Sequence, residues 1–228
     1  MISTFKAKLN IKEQLTADVL RLSFQVPKQF SFKAGQFVSL QLKQGEVQHP
    51  RSYSILNPPS EPEKLDLCVK IVETGFASNV FKQMKNGDEL AVKGPLGHFM
   101  LDEQTDNEHW FIGAGTGITP LHSLIKEHLP NFPSKKFCLL IGYKNVQDLL
   151  FHEEFLKMKA RYENFSYIPI ISRGTWDGKI GHVQDYLGED LQNKTFYICG
   201  LKDLVLETAG LLLNRGVEPK NIKFERYN

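Results

Sequence analysis

The apolar residues of this 228-residue chain change period halfway along it, and that change limits the folds open to it more than any other feature. Up to about Lys93 the period is two. Phe5, Ala7, Leu9 and Ile11 alternate with polar residues, as do Leu20, Leu22, Phe24 and Val26. Val38, Leu40 and Leu42 repeat the pattern, followed by Leu65, Leu67, Val69 and Ile71, and then by Leu90 and Val92. Such alternation predicts half-buried antiparallel strands. Turn residues separate them, at Ala34-Gly35, Gln44-Gly45, Asn57-Pro58-Pro59 and Asn86-Gly87. With a further strand near Arg51–Ile55 the count reaches about six, enough to close a small barrel. Only Phe76–Met84 reads as helix in this half.

From about His109 the pattern differs. Compact apolar strands, Trp110–Ile112, Phe137–Ile141, Tyr167–Ile171, Phe196–Cys199 and Ile222–Phe224, alternate with helix-length segments. Leu121, Leu124, Ile125 and Leu129 have helical spacing and end at Pro130; Leu204, Val205, Leu212 and Leu213 do the same before Gly216. Continuous apolar strands alternating with helices predict a parallel sheet covered on both faces. The expected fold is therefore two-domain: an N-terminal antiparallel six-stranded β-barrel over residues 1–103, then a C-terminal α/β doubly wound parallel sheet over residues 104–228. The polar segment Asp102–Glu108 is the expected hinge.

Composition narrows the classes of function. Hydrophobic types make up 41% of the chain, ordinary for a globular protein and too many for disorder. A net charge of +2 argues against nucleic-acid binding by bulk attraction and against membrane attachment through a basic patch. The apolar stretch Leu201–Leu213 is broken by Lys202, Asp203 and Glu207, well short of the ~20 apolar residues a bilayer span needs. The segment Met1–Lys8 lacks an apolar core and a small-residue cleavage site, so a cytoplasmic location is expected. Cys68, Cys138 and Cys199 are too few and too scattered for a disulfide framework, a zinc site or an iron–sulfur cluster. His152-Glu153-Glu154 begins like a zinc-protease helix, but Leu156 stands where the second histidine is required. No metal is expected.

The sharpest local signal is Gly113-Ala114-Gly115-Thr116-Gly117-Ile118-Thr119-Pro120, between a buried strand and a helix. Glycines allow a tight turn and bring bare backbone close to a ligand. With Thr119 as N-cap and Pro120 as first helical residue, the positive end of the helix would face the loop, and phosphate is its natural guest. A second signal is Arg51-Ser52-Tyr53-Ser54, in which Arg51 and Tyr53 share one face of a strand and Ser54 points to the other. Gly75-Phe76-Ala77-Ser78-Asn79 opens the helix of the first half as a second anion cradle. Gly94-Pro95-Leu96-Gly97-His98-Phe99 reads as a tight loop closing the barrel.

In this order, RxYS, GxxS, GPLGxF, GxGTGxxP, a late Cys-Gly and a C-terminal E-x-Tyr, the motifs resemble those of the ferredoxin–NADP reductase family across essentially the whole chain. Cys199-Gly200-Leu201-Lys202 and Glu225-Arg226-Tyr227 are most similar to the plant-type enzymes. The run Trp176–Val183 resembles instead the bacterial NAD(P)H-dependent oxygenase reductases. The resemblance implies FAD on the barrel and NADP or NAD on the parallel-sheet domain. Arg51 would bind the flavin phosphate, flanked by Ser52; Tyr53 would pack on the isoalloxazine or ribityl chain, and Ser54 would set a hydroxyl near N5. Backbone amides of Gly75, Phe76, Ala77 and Ser78 would hold the flavin pyrophosphate, with the Ser78 hydroxyl added. Gly113, Gly115, Thr116, Gly117 and Thr119 would receive the nicotinamide dinucleotide's pyrophosphate. Cys199, followed by Gly200, would lie against the nicotinamide as a positioning group, with Glu225 close by. Tyr227 would stack on the flavin and give way to the nicotinamide, although here Asn228 follows a tyrosine that is terminal in the plant enzymes. Taken singly, Cys199 reads as inert core, Glu225 as a solvated charge and Tyr227 as surface; their functional reading comes from the company of the other motifs.

A 2′-phosphate needs fixed positive charge after a strand of the nucleotide domain. Ser172-Arg173, after Tyr167–Ile171, resembles the plant-type Ser-Arg pair and Lys179 offers a second charge, so NADPH is favoured over NADH. The implied activity passes electrons from NAD(P)H through FAD to a separate one-electron carrier such as ferredoxin or flavodoxin, or the reverse, by a monomer or weak dimer. The alternatives are an NAD(P)H:flavin reductase, the reductase component of an oxygenase, and a non-catalytic regulatory subunit.

Overall fold

The alternating residues of the first half form six antiparallel strands: β1 (Ser3–Thr16), β2 (Val19–Gln25), β3 (Phe37–Gln44), β4 (Val47–Ser54), β5 (Lys64–Lys70) and β6 (Glu89–Leu96). The computed structural model describes residues 1–44 and 47–227. The expected Gln44-Gly45 turn includes Gly45, which with Glu46 and Asn228 lies outside them. The chain divides into two units, Met1–Leu101 with His122–Glu127, and Asp102–Leu121 with His128–Asn228.

In the first unit the strand order is β4-β3-β6-β1-β2-β5. β1 pairs with β6 through Ser3–Lys8 and with β2 through Lys8–Thr16, and a register shift between Leu9 and Ile11 marks the crossover. An irregularity of this kind bends a strand, so one long strand serves two neighbours and curls the sheet. The sheet's outer strands meet at the antiparallel bridge Ile55↔Leu67. Leu9, Leu22, Leu40, Leu67 and Val92 fill the interior with no exposed surface, each contributing about 1.5–3 kcal/mol on burial. The helix α1 (Phe76–Gln83) packs Phe81 into this core. Lys12 Nζ donates to the carbonyls of Lys82 (2.7 Å) and Met84 (3.0 Å), so a cation sits on the negative end of the helix.

β4 begins four residues before the expected Arg51. Its His49-Pro50 start hides it, because proline removes a ladder donor. The Ile55 amide donates to Gln36 O (2.9 Å), so odd-numbered amides of β4 face β3 and even-numbered ones face the sheet's open edge. Pro50 is even-numbered and forfeits no sheet bond. Gly94-Pro95-Leu96, expected as a loop, is the end of β6: Gly94 pairs with Ser3 and Leu96 with Phe37.

The second unit holds β7 (Glu108–Ala114), β8 (Phe137–Tyr143), β9 (Phe165–Ile171), β10 (Lys179–Ile180), β11 (Lys194–Leu201) and β12 (Ile222–Tyr227), all parallel in the order β10-β9-β8-β7-β11-β12. Helices α2 (Ile118–His128, in part with the first unit), α3 (His152–Arg161) and α4 (Lys202–Asn214) intervene. Crossovers from β7 to β9 run one way and that from β11 to β12 the other. A common right hand puts the two sets on opposite faces. Ile112, Leu140, Phe196 and Ile198 pack with Val205 and Leu212 of α4, whereas Phe155 of α3 meets the Tyr167 ring at a tilt (5.2 Å between centroids, 32° between planes). The doubly wound sheet is as expected. The apolar pattern missed α3, where only Phe155 is buried, and β10, whose two residues are both exposed.

The segment Asp102–Glu108, expected as a hinge, is tied down along the second unit. The Asp102 amide donates to the Tyr197 hydroxyl (2.9 Å), Lys135 Nζ donates to the carbonyls of Glu103 (2.6 Å) and Thr105 (2.8 Å), and Asn107 Nδ2 donates to Thr195 Oγ1 (3.2 Å). Among the described residues no helix is long and apolar enough to cross a membrane, and no group of three or more His, Cys, Asp or Glu is arranged to hold a metal.

Candidate functional site

The strand order of the second unit reverses between β7 and β11, and open α/β sheets bind ligands outside the carboxyl ends at such a reversal. Gly113 and Ala114 end β7 there and Gly115–Gly117 follows, while Cys199-Gly200 lies near the end of the adjacent β11, Cys199 in register with Gly113. The three loop glycines have different tasks. A Cβ on Gly113 would meet the Cys199 carbonyl at 2.9 Å, and one on Gly117 would collide with it, so both are there for close packing on β11. Gly115 has φ +53° and nothing within 4 Å of its Cβ position, which leaves open space in front of bare backbone. Open backbone of this kind suits a phosphate at the start of the 3₁₀ turn that leads into α2, whose own first amide, that of Ile118, is bonded to the Gly115 and Thr116 carbonyls.

Thr119 is not the N-cap. A 3₁₀ turn, Gly115–Gly117, runs straight into α2 at Ile118. Thr119 is therefore helical, 1% exposed, and its hydroxyl donates back to Thr116 O (2.7 Å). Pro120 is the third residue of α2 and not the first, two positions later than expected, still in the first turn, where a missing amide costs nothing.

At the end of β11 the Cys199 side chain is wholly buried. β12 brings Glu225 level with it and Tyr227 level with Leu201. Burial, and after it the Glu225 carboxylate, push the thiol well up, against a hydrogen bond from Tyr227. Cys199 is thus a neutral thiol at pH 7, not a thiolate nucleophile. Gly200 packs its Cα side on Leu204 of α4.

Ser172 and Arg173 lie at the carboxyl end of β9. Their amides donate to Tyr143 O (3.0 Å) and Lys144 O (2.8 Å), and the Ser172 hydroxyl turns to Tyr143 O (3.3 Å). Arg173 is exposed. Lys179, also exposed, holds its ammonium 5.2 Å from the Tyr186 ring. Lys144 is a further cation at this strand end that the sequence pattern did not single out, because it lies one strand away from Arg173.

In the first unit, His49, Arg51 and Tyr53 pair with Leu42, Leu40 and Val38 and so share the face turned toward α1. The Arg51 guanidinium lies 5.9 Å from the Phe76 ring, His49 4.9 Å from the same ring, and Tyr53 meets Phe81 edge-on at 5.4 Å. Burial pushes the Tyr53 hydroxyl up to about 12, against the nearby Arg51 charge. Arg51 thus stands beside the start of α1, whose first amides belong to Phe76, Ala77 and Ser78. A charge on that helix end and a guanidinium next to it suit a pyrophosphate. Gly75 caps the helix in extended conformation (φ −75°). Two expected contributions differ. The Ser78 hydroxyl is turned inward, accepting from the Val72 amide (2.9 Å) in a residue 5% exposed. Ser52 pairs with Ser39 on the opposite face from Arg51, which the period-two pleat requires. Ser54, 4% exposed, ends the strand. His49, which no sequence motif above includes, joins the Arg51 row; its two-residue offset from Arg51 is the signal that could have found it.

Two family models match in series: the oxidoreductase FAD-binding domain over residues 6–101 and the oxidoreductase NAD-binding domain over residues 111–209. Ferredoxin–NADP reductase B of Sorangium cellulosum (strain So ce56) is 31% identical, over 98% of this chain and 98% of its own. The reductase component DmpP of phenol 2-monooxygenase from Pseudomonas sp. (strain CF600) is 26% identical over 99% of this chain and 66% of its own length. The chain therefore spans just under two thirds of that relative. A ferredoxin NADP+ reductase from Neisseria gonorrhoeae, solved with bound FAD and NADP, has the same fold: TM-score 0.89, 19% identity, 98% of each chain covered. The chain belongs to the ferredoxin–NADP reductase family and carries an FAD-binding domain followed by an NAD-binding domain.

Proposed function

From that membership we propose that the protein passes electrons from NADPH, through FAD, to a separate one-electron carrier such as a ferredoxin or flavodoxin, or runs the same transfer in reverse. The flavin domain is taken as residues 1–103 and the nucleotide domain as 104–228. When bound, FAD supplies the conversion between a hydride's electron pair and single electrons. The chain's own residues supply binding, orientation and shielding. Arg51 and the amides of Phe76, Ala77 and Ser78 hold the flavin pyrophosphate, Tyr53 packs on the ring system and Ser54 offers its hydroxyl near N5. The backbone of Gly113–Gly117 holds the nucleotide pyrophosphate, with Gly115 as the point of closest approach. Ser172, Arg173 and Lys179 take the 2′-phosphate. Cys199, as a neutral thiol, and Glu225 position the nicotinamide, and Tyr227 shields the flavin until the nicotinamide displaces it. Hydride transfer needs the two rings in contact and away from water, which is the task of these last three residues.

The observation that carries the reading is the open backbone at Gly115 at the sheet's reversal, beside Cys199. We place the protein in the cytoplasm, as a monomer or weak dimer. Its three cysteines are all buried thiols, which suits a reducing compartment. A second reading, the reductase partner of an oxygenase, is supported by the likeness to the phenol 2-monooxygenase reductase and by the run Trp176–Val183. Anaerobic titration of the purified flavoprotein with NADPH and NADH separately, followed at the flavin absorbance, tests the proposal. Bleaching by NADPH at lower concentration than NADH is expected. A flavin that neither nucleotide bleaches refutes it.

A further inference from the structure

The loop after β9 carries Arg173 and Lys179, and from Arg173 to Ile180 every residue is exposed except Trp176. Its two ends are tied by backbone, the Arg173 amide to Lys144 O (2.8 Å) and Lys179–Ile180 to β9, so between them Trp176 is the one side chain that can fix how the loop lies. The Trp176 ring stands edge-on to His152 at the start of α3, with 6.1 Å between centroids and planes at 71°. His152 is fixed in turn by Tyr167 of β9, its Nδ1 3.0 Å from the Tyr167 hydroxyl, and Tyr167 is only 3% exposed. The indole is thus the last member of a row of rings leading from the sheet through α3 to the loop. The Gly178 backbone crosses the indole nitrogen so closely that a Cβ there would collide with it. The Nε1–H is buried without a hydrogen-bond partner, a penalty that offsets much of what burying the ring contributes. The latch is closed by packing alone, and by a small margin.

We propose that Trp176 is a positioning residue: by seating on His152 it holds Arg173 and Lys179 in the phosphate-binding arrangement, and so sets the preference for nucleotides that carry a 2′-phosphate. This rests on the assignment of those two cations to the 2′-phosphate above. The indole contacts no nucleotide; it acts through the loop.

The test uses the FAD-loaded protein, its Trp176→Ala and Trp176→Phe variants, and two probes, adenosine 2′,5′-bisphosphate and 5′-AMP, titrated by calorimetry. Amide exchange over residues 172–181 is measured in parallel. In Trp176→Ala the bisphosphate is expected to bind about tenfold more weakly, as it would if the loop were competent a tenth of the time, while 5′-AMP changes less than about twofold. Trp176→Phe, which keeps a ring on His152, restores most of the loss, and exchange in the loop speeds up only in the alanine variant. A wild-type preference for the bisphosphate that survives intact in Trp176→Ala, or unchanged exchange, overturns the latch while leaving the 2′-phosphate site in place. A wild type that binds both probes equally overturns the 2′-phosphate site itself, and the proposal with it.

Discussion

Acidification from pH 7 to pH 4 is expected to weaken the second unit by about 3 kcal/mol through one histidine. His109 on β7 has no exposed surface, and its Nε2 is buried without a partner. The Tyr197 hydroxyl accepts the Asp102 amide proton at 2.9 Å, which turns its own proton toward His109 Nδ1, 3.3 Å away. That arrangement requires a neutral ring with Nδ1 bare. Burial above all, then the Lys135 charge, with His128 and Lys223 adding to it against Asp102, lower the imidazole from 6.5 to about 4. Between these values the unfolded chain binds a proton that the folded one refuses. Stability from this source is therefore level above about pH 7, lost as pH falls from 6.5 to about 4, and level again below. At 1.4 kcal/mol per pH unit that window is worth about 3 kcal/mol. Both tryptophans, Trp110 and Trp176, belong to the second unit, so urea unfolding followed by tryptophan emission reports on it. His109→Gln loses packing at every pH but has no titrating ring. The stability advantage of wild type over the variant should shrink as the pH falls through the window. Parallel pH profiles for the two proteins refute the argument, because carboxylate effects common to both cancel in the difference.

Two loop glycines separate packing from binding. Gly117→Ala drives a methyl into the backbone of Cys199 and Gly200 and should lower the stability of the second unit by about 3 kcal/mol or more, read from its urea midpoint. Gly115→Ala meets no atom and should cost only about 1–2 kcal/mol for its left-handed backbone, yet weaken NADP binding at a pH and temperature where it stays folded. Equal effects of the two changes on stability would contradict the assignment. Arg173→Ala should lower kcat/KM for NADPH about tenfold or more while leaving NADH within about twofold; equal losses for both nucleotides would remove Arg173 from the 2′-phosphate site.

The strands of both halves were legible in the sequence wherever one face or both faces are buried, because burial is what writes the period. Leu20–Val26 and Leu65–Ile71 pair in register, Leu22 with Leu67 and Phe24 with Leu65. Elements escaped where burial is slight: α3 sinks one side chain, and β10 none. The glycine loop is legible as a tight turn from a buried strand into a helix, but the cap is not where the motif puts it. A threonine before a proline reads as an N-cap, whereas the 3₁₀ turn starts the helical path earlier and leaves Thr119 bonded to Thr116 O. Nor could spacing alone tell which glycine opens to a ligand, since Gly113 and Gly117 are needed by a carbonyl far along the chain, that of Cys199. The inward turn of the Ser78 hydroxyl is hidden from the motif for a similar reason. Its partner, the Val72 amide, lies outside the motif that drew attention to it.

The reversal of strand order between β7 and β11 bears on synthesis. Its two flanks come from opposite ends of the second unit, so a nascent chain that has emerged only as far as β9 has the glycine turn but no neighbouring strand against which Gly113 and Gly117 can seat. Dinucleotide capture cannot guide the early assembly of this sheet. It has to wait until β11 is made, and a product cut short before Leu201 would lack one flank of the reversal however well its first strands had formed.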